Sequence, residues 1–501
     1  MSAGDWYRVW DGATAWLGGR LQAPALPHPA RRRDVERERV HRRQTLAMVM
    51  WTVLLSGPFF ATVLGGAVPV LAAVAELSDR WYGLVQAMPA LAMLAQLPGA
   101  LVISRVRHRP WVVFALGSFA RLVWVAVAAV PLVLPPGSVA TASLLVMVAL
   151  AWVSFHISGL AWQSFMGDLV PGRVRGKYFG TRLRLFSLTN LVSSVLLAVV
   201  LPSAGSPTAA WTVFGVFTVA AVMGCIELLG YRHAYDTPRR RPPIRVSELL
   251  KPLTDRAFIP FLVLGLLVAA SNGIVGPFLW RHLLTAHDMP PLKVTLILQT
   301  SALLAMMLTA GIWGRWVDRF GAKAAMIVGI LCGQLATLAW PVVSLEGWWL
   351  GLIVMLVGVG FWTGVDVGIV NRLFRYGQAG GPGYFAVFNG TLAVSGFAAT
   401  WLGGEIAERF GRSAWIGRVA EAAAGYGLSF NVYMLLLLLC VALRFAAVLW
   451  LMYAVPRDKP QRTSDAVRQM ALQMQAGAIA LLAWPWRRVW RQPGPAAGSG
   501  Q

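Results

Sequence analysis

Apolar residues in this chain form long runs, and most charged residues fall in the gaps between them. The runs show neither the two-residue alternation of a half-buried strand nor the one-sided stripe of a soluble helix. A bilayer core takes about 20 consecutive apolar residues per helix. Thr45 to Ala73, Trp111 to Leu134 and Asn431 to Tyr453 each meet that length. The pattern predicts twelve spans, over 45–74, 83–103, 110–134, 139–163, 185–203, 210–231, 258–279, 293–314, 324–344, 348–371, 384–403 and 430–454. The expected fold class is an all-α polytopic membrane protein with twelve transmembrane helices.

Charge orients the spans. The chain is 57% hydrophobic with a net charge of +23, and 36 of its 44 Lys and Arg fall in alternate gaps, counting both ends. Cytoplasmic loops retain positive charge, so both termini are expected on the cytoplasmic side of the cell membrane. The opposite loops hold only Arg80, Arg281, Lys293, Arg409, Arg412 and Arg418. Basic residues that edge helices suit the anionic inner leaflet. A nucleic-acid partner would ask for a basic solvated domain instead, so none is expected. No secretory signal precedes the first span. Cys225, Cys332 and Cys440 stand singly in apolar spans, so no disulfide framework or metal cluster is expected. There is no phosphate-cradling loop and no nucleophile elbow. Neither an enzyme nor a cofactor is predicted, and a monomer is the expected state.

Polar pieces divide the chain into a basic tail (1–44), six spans (45–231), a linker (232–257), six further spans (258–455) and a second tail (456–501). The linker carries Arg239-Arg240-Arg241-Pro242-Pro243. In the last piece, the Met-, Leu- and Trp-rich stretch from Ala466 to Trp486 is expected to lie on the inner membrane surface. The two groups of spans carry traces of a repeat. Tyr178-Phe179-Gly180 corresponds to Tyr384-Phe385-Ala386, and Ser104 to Arg109 corresponds to Asp318 to Lys323. The offsets of 206 and 214 match roughly at corresponding places and argue for duplication, as transporters often contain structural repeats.

The loop after span eight reads Gly314-Arg315-Trp316-Val317-Asp318-Arg319-Phe320-Gly321-Ala322-Lys323. Gly314 would permit close helix approach, and Gly321 a turn closed to other residues. Asp318 could accept from a helix amino terminus, while Arg319 and Lys323 would stay in the charged interface. This Gly-x-x-x-Asp-Arg-x-Gly-x-Lys pattern closely resembles the signature loop of the major facilitator superfamily. The resemblance implies two pseudo-symmetric six-helix halves and a cytoplasmic latch formed by Gly314, Asp318, Arg319, Gly321 and Lys323. The first-half copy has Ser104 and Arg107 where the acid and the glycine would stand. A second resemblance is the loop after span four, Asp168-Leu169-Val170-Pro171-Gly172-Arg173-Val174-Arg175-Gly176, where Asp168, Pro171, Arg175 and Gly176 carry the family pattern. Span five lacks the Gly-Pro-x-x-Gly-Gly motif that resemblance to a proton-driven exporter would predict.

Ionisable residues within spans are expensive and mark function by default. Asp366 in span ten is the leading candidate for proton coupling. Its rival is His156, whose imidazole titrates near physiological pH, although a hydrogen-bonded packing role is the favoured reading of that histidine. Glu227 is read as an interface charge. Arg121 and Arg444 lie in spans that the resemblance makes peripheral, where each would reach an interface or pair with an acid; Arg121 is a fallback contact for an anion. Trp152, His156, Gly159 and Gln163 share one face of span four. With Asn272, Gln299, Trp362 and Asn389, Trp152 and Gln163 make up the expected substrate cavity. The function expected is alternating-access secondary transport of a small organic solute with protons as the coupling ion. Facilitated uniport and a transporter-shaped sensor or assembly partner are the alternatives.

Overall fold

A computed structural model describes residues 29–171, 175–203, 205–236, 251–380, 383–426, 428, 430–456, 464–470 and 472–473. The Arg239–Arg241 linker sequence and the tail beyond Gln473 lie outside the described residues. Eleven described helices are long and apolar enough to cross a bilayer, and a bent first path makes the twelfth. The spans are α1 (the segments Pro29–Thr52, Gly57–Val63 and Ala67–Val74), α2 (Asp79–Ile103), α3 (Arg109–Val133), α4 (Ser138–Leu169), α5 (Arg175–Val200) and α6 (Ala209–Leu229). They continue as α7 (Ile259–Arg281), α8 (Pro291–Phe320), α9 (Ala322–Thr337), α10 (Trp348–Gly380), α11 (Gly383–Phe410) and α12 (Val432–Tyr453). Both ends of this series lie at one end of the bundle, called here the terminal end; the other is the far end.

Three features differ from the sequence expectation. Span one is not one helix: it bends by 46° at Ser56 and breaks again before Ala67. Pro58, in the first turn of the second segment, has no N–H to donate back along the helix, and Gly65-Gly66 separate that segment from the third. Secondly, α4 and α10 run for 32 and 33 residues. At about 1.5 Å per residue they overshoot a core of about 30 Å, so Asp168 and Arg372 project past the terminal end. Thirdly, Ala466 and Met470, one helical turn apart, are fully buried in the apolar core of α7–α12. This part of the tail docks on protein, because its apolar side chains find a protein groove before they reach lipid.

The packing obeys the repeat. In the first six spans α1 packs on α5, α2 on α4, and α3 on both α4 and α6; α7 on α11, α8 on α10, and α9 on both α10 and α12 repeat these pairs six spans later. The residues that marked the repeat do equivalent work. Buried Tyr178 donates its hydroxyl to the Leu46 carbonyl in α1, and buried Tyr384 donates to Asp255, just before α7. At the start of α3, buried Arg109 binds Asp236 beyond α6, and at the start of α9 buried Lys323 donates to the Met452 and Val455 carbonyls that close α12. Lys323 is thus not an interface charge; its ammonium neutralises the negative end of α12.

The apolar core forks. One cluster at the far end draws on both halves, with Phe59, Val85 and Trp124 beside Phe278, Ile297 and Leu436. Towards the terminal end it is replaced by two separate clusters, around Phe165 and Tyr231 in the first half and around Phe261 and Phe320 in the second. The halves are joined at one end and splayed at the other.

Candidate functional site

The far end is sealed by groups from both halves. At the start of α2, Asp79 meets Arg281 of α7 at 2.8 Å and accepts the Tyr433 hydroxyl of α12 at 3.0 Å. The same Arg281 donates to the Leu77 carbonyl at 2.6 Å. Neighbouring Arg80 meets Glu405 of α11 at 2.8 Å, and Tyr82 donates to the Pro277 carbonyl at 2.8 Å. Below them Gly83 and Gly404 cross so closely that a Cβ on Gly83 would stand 2.9 Å from the Gly404 Cα; only small residues let two helices approach in this way. Among the described residues, every ion pair between the halves lies at this end. The sequence placed Arg80 and Arg281 in loops and gave no sign of these partners, since each pair forms across hundreds of residues.

Beneath the seal lies a cavity of about 110 Å³ lined by Leu64, Gln86, Pro89, Trp124, Trp152 and Trp280 among others. Trp280 belongs to α7 and the rest of these to α1–α4, so the cavity sits between the halves. Its wall includes the break in α1. A side chain at Gly65 would collide with the Ala61 carbonyl and with Gln299, and one at Gly66 with Trp280. Gln299 lies on a π-helical turn of α8, Leu296–Thr300, and its Oε1 is buried without a partner. Such turns concentrate at functional sites.

Trp152 therefore lines the cavity, and Gln299 stands behind its Gly65 wall. His156, one turn from Trp152, is held on both ring nitrogens, by the Pro89 carbonyl at 2.9 Å and the Gln96 amide at 3.3 Å. An Nε2–H tautomer satisfies both contacts and makes it a brace between α4 and α2. Gln163 and Asn389 are exposed and make no hydrogen bond among the described residues. Asp366 is exposed on α10, one turn from Trp362, with no ion pair or hydrogen bond among the described residues.

Two arginines that the sequence placed at the periphery turn inward. Arg121 of α3 is buried and pairs with Glu227 of α6 at 2.7 Å, beneath the Phe59 ring at 4.7 Å. Gly224 makes the room, since a Cβ there would collide with the guanidinium. Glu227 is accordingly no interface charge, and Arg121 is already neutralised. Arg444 of α12 reaches between helices to Thr337 at 2.9 Å and Gln334 at 3.3 Å on α9, and to Asn272 at 3.1 Å on α7. Its guanidinium lies 4.3 Å from the Trp362 ring centre. Arg444 thus joins two of the predicted cavity residues, Asn272 and Trp362.

The signature loop stands open. Gly321 adopts φ 90° and ψ 156°, a conformation essentially restricted to glycine, and starts α9 directly from α8. Asp318 is exposed and unpaired among the described residues, while Arg319 lies 5.1 Å from the Phe320 ring centre. Nothing lies within 4 Å of a Cβ built on Gly314, so that glycine does not mediate helix contact. In the other loop Asp168 accepts from Arg109 at 2.6 Å, and Pro171 follows the end of α4. Arg175 and Gly176 begin α5, but their side chains lie outside the described residues, as does Arg173.

The fold is that of known solute carriers. The D-xylose-proton symporter superposes with a TM-score of 0.60 at 13% identity, covering 83% of this chain and 99% of its own. The nucleoside transporter NupG gives 0.57 at 13%, with 82% and 99% covered. A bacterial homologue of the human lysosomal transporter Spinster, in an inward-facing and unoccupied conformation, gives 0.56 at 14%, with 84% and 99% covered. No curated protein sequence matches the chain. The sequence profile of the Major Facilitator Superfamily matches residues 50–371, which run from α1 through most of α10 across both halves, and the chain belongs to that superfamily.

Proposed function

We propose that this multi-pass secondary transporter carries a small organic solute across the cytoplasmic membrane in company with protons. The terminal end, where Lys and Arg concentrate, faces the cytoplasm. The forked core and the far-end seal then correspond to an inward-open state in a rocking cycle of the two halves. The Asp79–Arg281 and Arg80–Glu405 pairs break when the far end opens, and Asp318 of the signature loop finds its partner when the terminal end closes. Solute binds against Trp152 and Gln299 between the halves.

Asp366 carries the coupling reading. It is a carboxyl without a partner among the described residues, on a membrane-crossing helix one turn from Trp362, where ionisable residues mark ion pathways. His156 supports coupling less well, because both of its nitrogens are engaged in bracing α2. Solutes that raise the melting temperature of the purified protein identify ligands. Protein in liposomes is then given such a solute and the internal pH is followed. Solute entry accompanied by protons in the wild type, and solute exchange without proton movement in Asp366→Asn, is the expected result. Proton movement unchanged in the variant removes Asp366 from the mechanism. Solute flux with no proton movement in either protein means facilitated uniport.

A further inference from the structure

Arg444 differs in its company from three other arginines of the bundle. Arg109, Arg121 and Arg281 each contact a carboxylate. Among the described residues Arg444 has only neutral partners, the amide oxygens of Gln334 and Asn272, the Thr337 hydroxyl and the Trp362 ring face. Its Nε is buried and donates to nothing among the described residues. A guanidinium is always charged, and a charge inside a bilayer is paired or marks a substrate path.

The site also has access to the space between the halves. Asn272, Gly276 and Trp280 follow one another at intervals of four along α7, so they share a strip of the helix. Trp280 lines the cavity between the halves and Asn272 is exposed two turns away. An anion displacing the Asn272 oxygen would meet the edge formed by Nε and Nη2, which matches the two oxygens of a carboxylate.

We infer that Arg444, framed by Asn272, Thr337 and Trp362, binds the carboxylate of a small organic acid, and that the transported solute is such a monoanion. This rests on the transport reading above and names its substrate class. One cation among neutral amides and a hydroxyl balances a single negative charge, whereas a phosphate dianion would call for a second. The Trp362 face beside Arg444 and the Trp124, Trp152 and Trp280 rings towards the far end suit an apolar or aromatic remainder. The proton taken up by Asp366 would offset the charge of the acid during the crossing.

Binding to the purified protein in lipid nanodiscs is measured by tryptophan fluorescence and melting temperature, with no gradient imposed. The probes are acetate, butyrate, benzoate and indole-3-acetate, their matched amides, and inorganic phosphate. At least one acid binds, at least tenfold tighter than its amide, and Arg444→Gln loses that tenfold. Asn272→Asp gives Arg444 a carboxylate of its own; it melts no lower than the wild type yet loses acid binding, which separates a site from a structural strut. Amides binding as well as acids, phosphate binding in preference, no acid binding, or full acid binding in Asn272→Asp each overturn the inference. Saturable flux of a neutral solute without acid binding overturns it while sparing the transport reading. Acid binding without flux in liposomes keeps the site and removes the transport reading.

Discussion

The Arg121–Glu227 pair is a sharp test of how the first half is held together. Both side chains are about 95% buried, the ions meet at 2.7 Å, and Arg121 also donates to the Gly117 carbonyl at 3.2 Å. Replacing Glu227 by Leu preserves volume but strands a guanidinium between α3 and α6. Removing one partner of a buried pair costs about 3–5 kcal/mol, whereas replacing both by apolar residues is often neutral or stabilising. Neutral hydrogen bonds between membrane helices average only about 0.6 kcal/mol, so the two regimes are easily told apart. Glu227→Leu is expected to lose roughly 3–5 kcal/mol, and Arg121→Met/Glu227→Leu to return to within about 1 kcal/mol of wild type. Reversible unfolding in mixed micelles, as dodecyl sulfate is titrated in, measures all four corners of the cycle. A single substitution costing under about 1 kcal/mol, or a double substitution equal to the sum of the singles, would refute the assignment of a mutually dependent buried pair.

The remaining expectations use the same reasoning elsewhere. Gly321→Ala forces a side chain into a backbone region essentially restricted to glycine and should cost about 1–3 kcal/mol in the same unfolding assay; no loss would mean that the α8–α9 turn relaxes freely. Asp79→Asn weakens the far-end seal. A pair worth about 1 kcal/mol shifts an equilibrium about fivefold, so a cysteine placed at cavity residue Val68, in a background lacking the three native cysteines, should react about fivefold faster with a reagent added at the far end. Asp255, outside the spans, is held below its ordinary value of 3.8, chiefly by the hydrogen bond from Tyr384. Its contribution to stability is therefore complete above pH 3.8 and disappears as pH falls through the lower folded value. Tyr384→Phe should be less stable than wild type at neutral pH and converge on it in acid; a constant gap in melting temperature would show that this carboxylate does not contribute.

The spans were legible because hydrophobic length is a local property, and the signature loop because Gly321 answers to a local backbone demand. Duplication was legible from Tyr178 and Tyr384, although their roles in tying α5 to α1 and α11 to the start of α7 were not. What sequence could not supply was partnership across distance. Glu227 reads as an interface charge until Arg121 is seen to face it through the gap left by Gly224. Arg444 reads as peripheral because the family resemblance makes span twelve peripheral, yet an arginine stem is long enough to carry its charge past the next helix. Of the proposed cavity, Trp152 lines the space between the halves with Gln299 behind Gly65, and Asn272 and Trp362 meet at Arg444. Gln163 and Asn389 rested on polarity alone, which does not say what a side chain faces. The break in α1 had a visible cause in Pro58 and Gly65-Gly66, but apolar length masked it.

Because the Asp79–Arg281 and Arg80–Glu405 pairs sit at one end only, the molecule has an electrolyte-sensitive side. The Arg80 side chain is 52% exposed, and both members of the Asp79–Arg281 pair are partly so. Screening shortens the reach of exposed charges from about 10 Å at 0.1 M salt to about 3 Å at 1 M. Salt added to the far compartment therefore loosens the seal and favours its opening, while the same salt on the terminal side meets no ion pair joining the halves among the described residues. On the transport reading proposed above, these pairs make the inward-open state responsive to salt in the far compartment, so a measured turnover describes the buffer on that side as well as the protein.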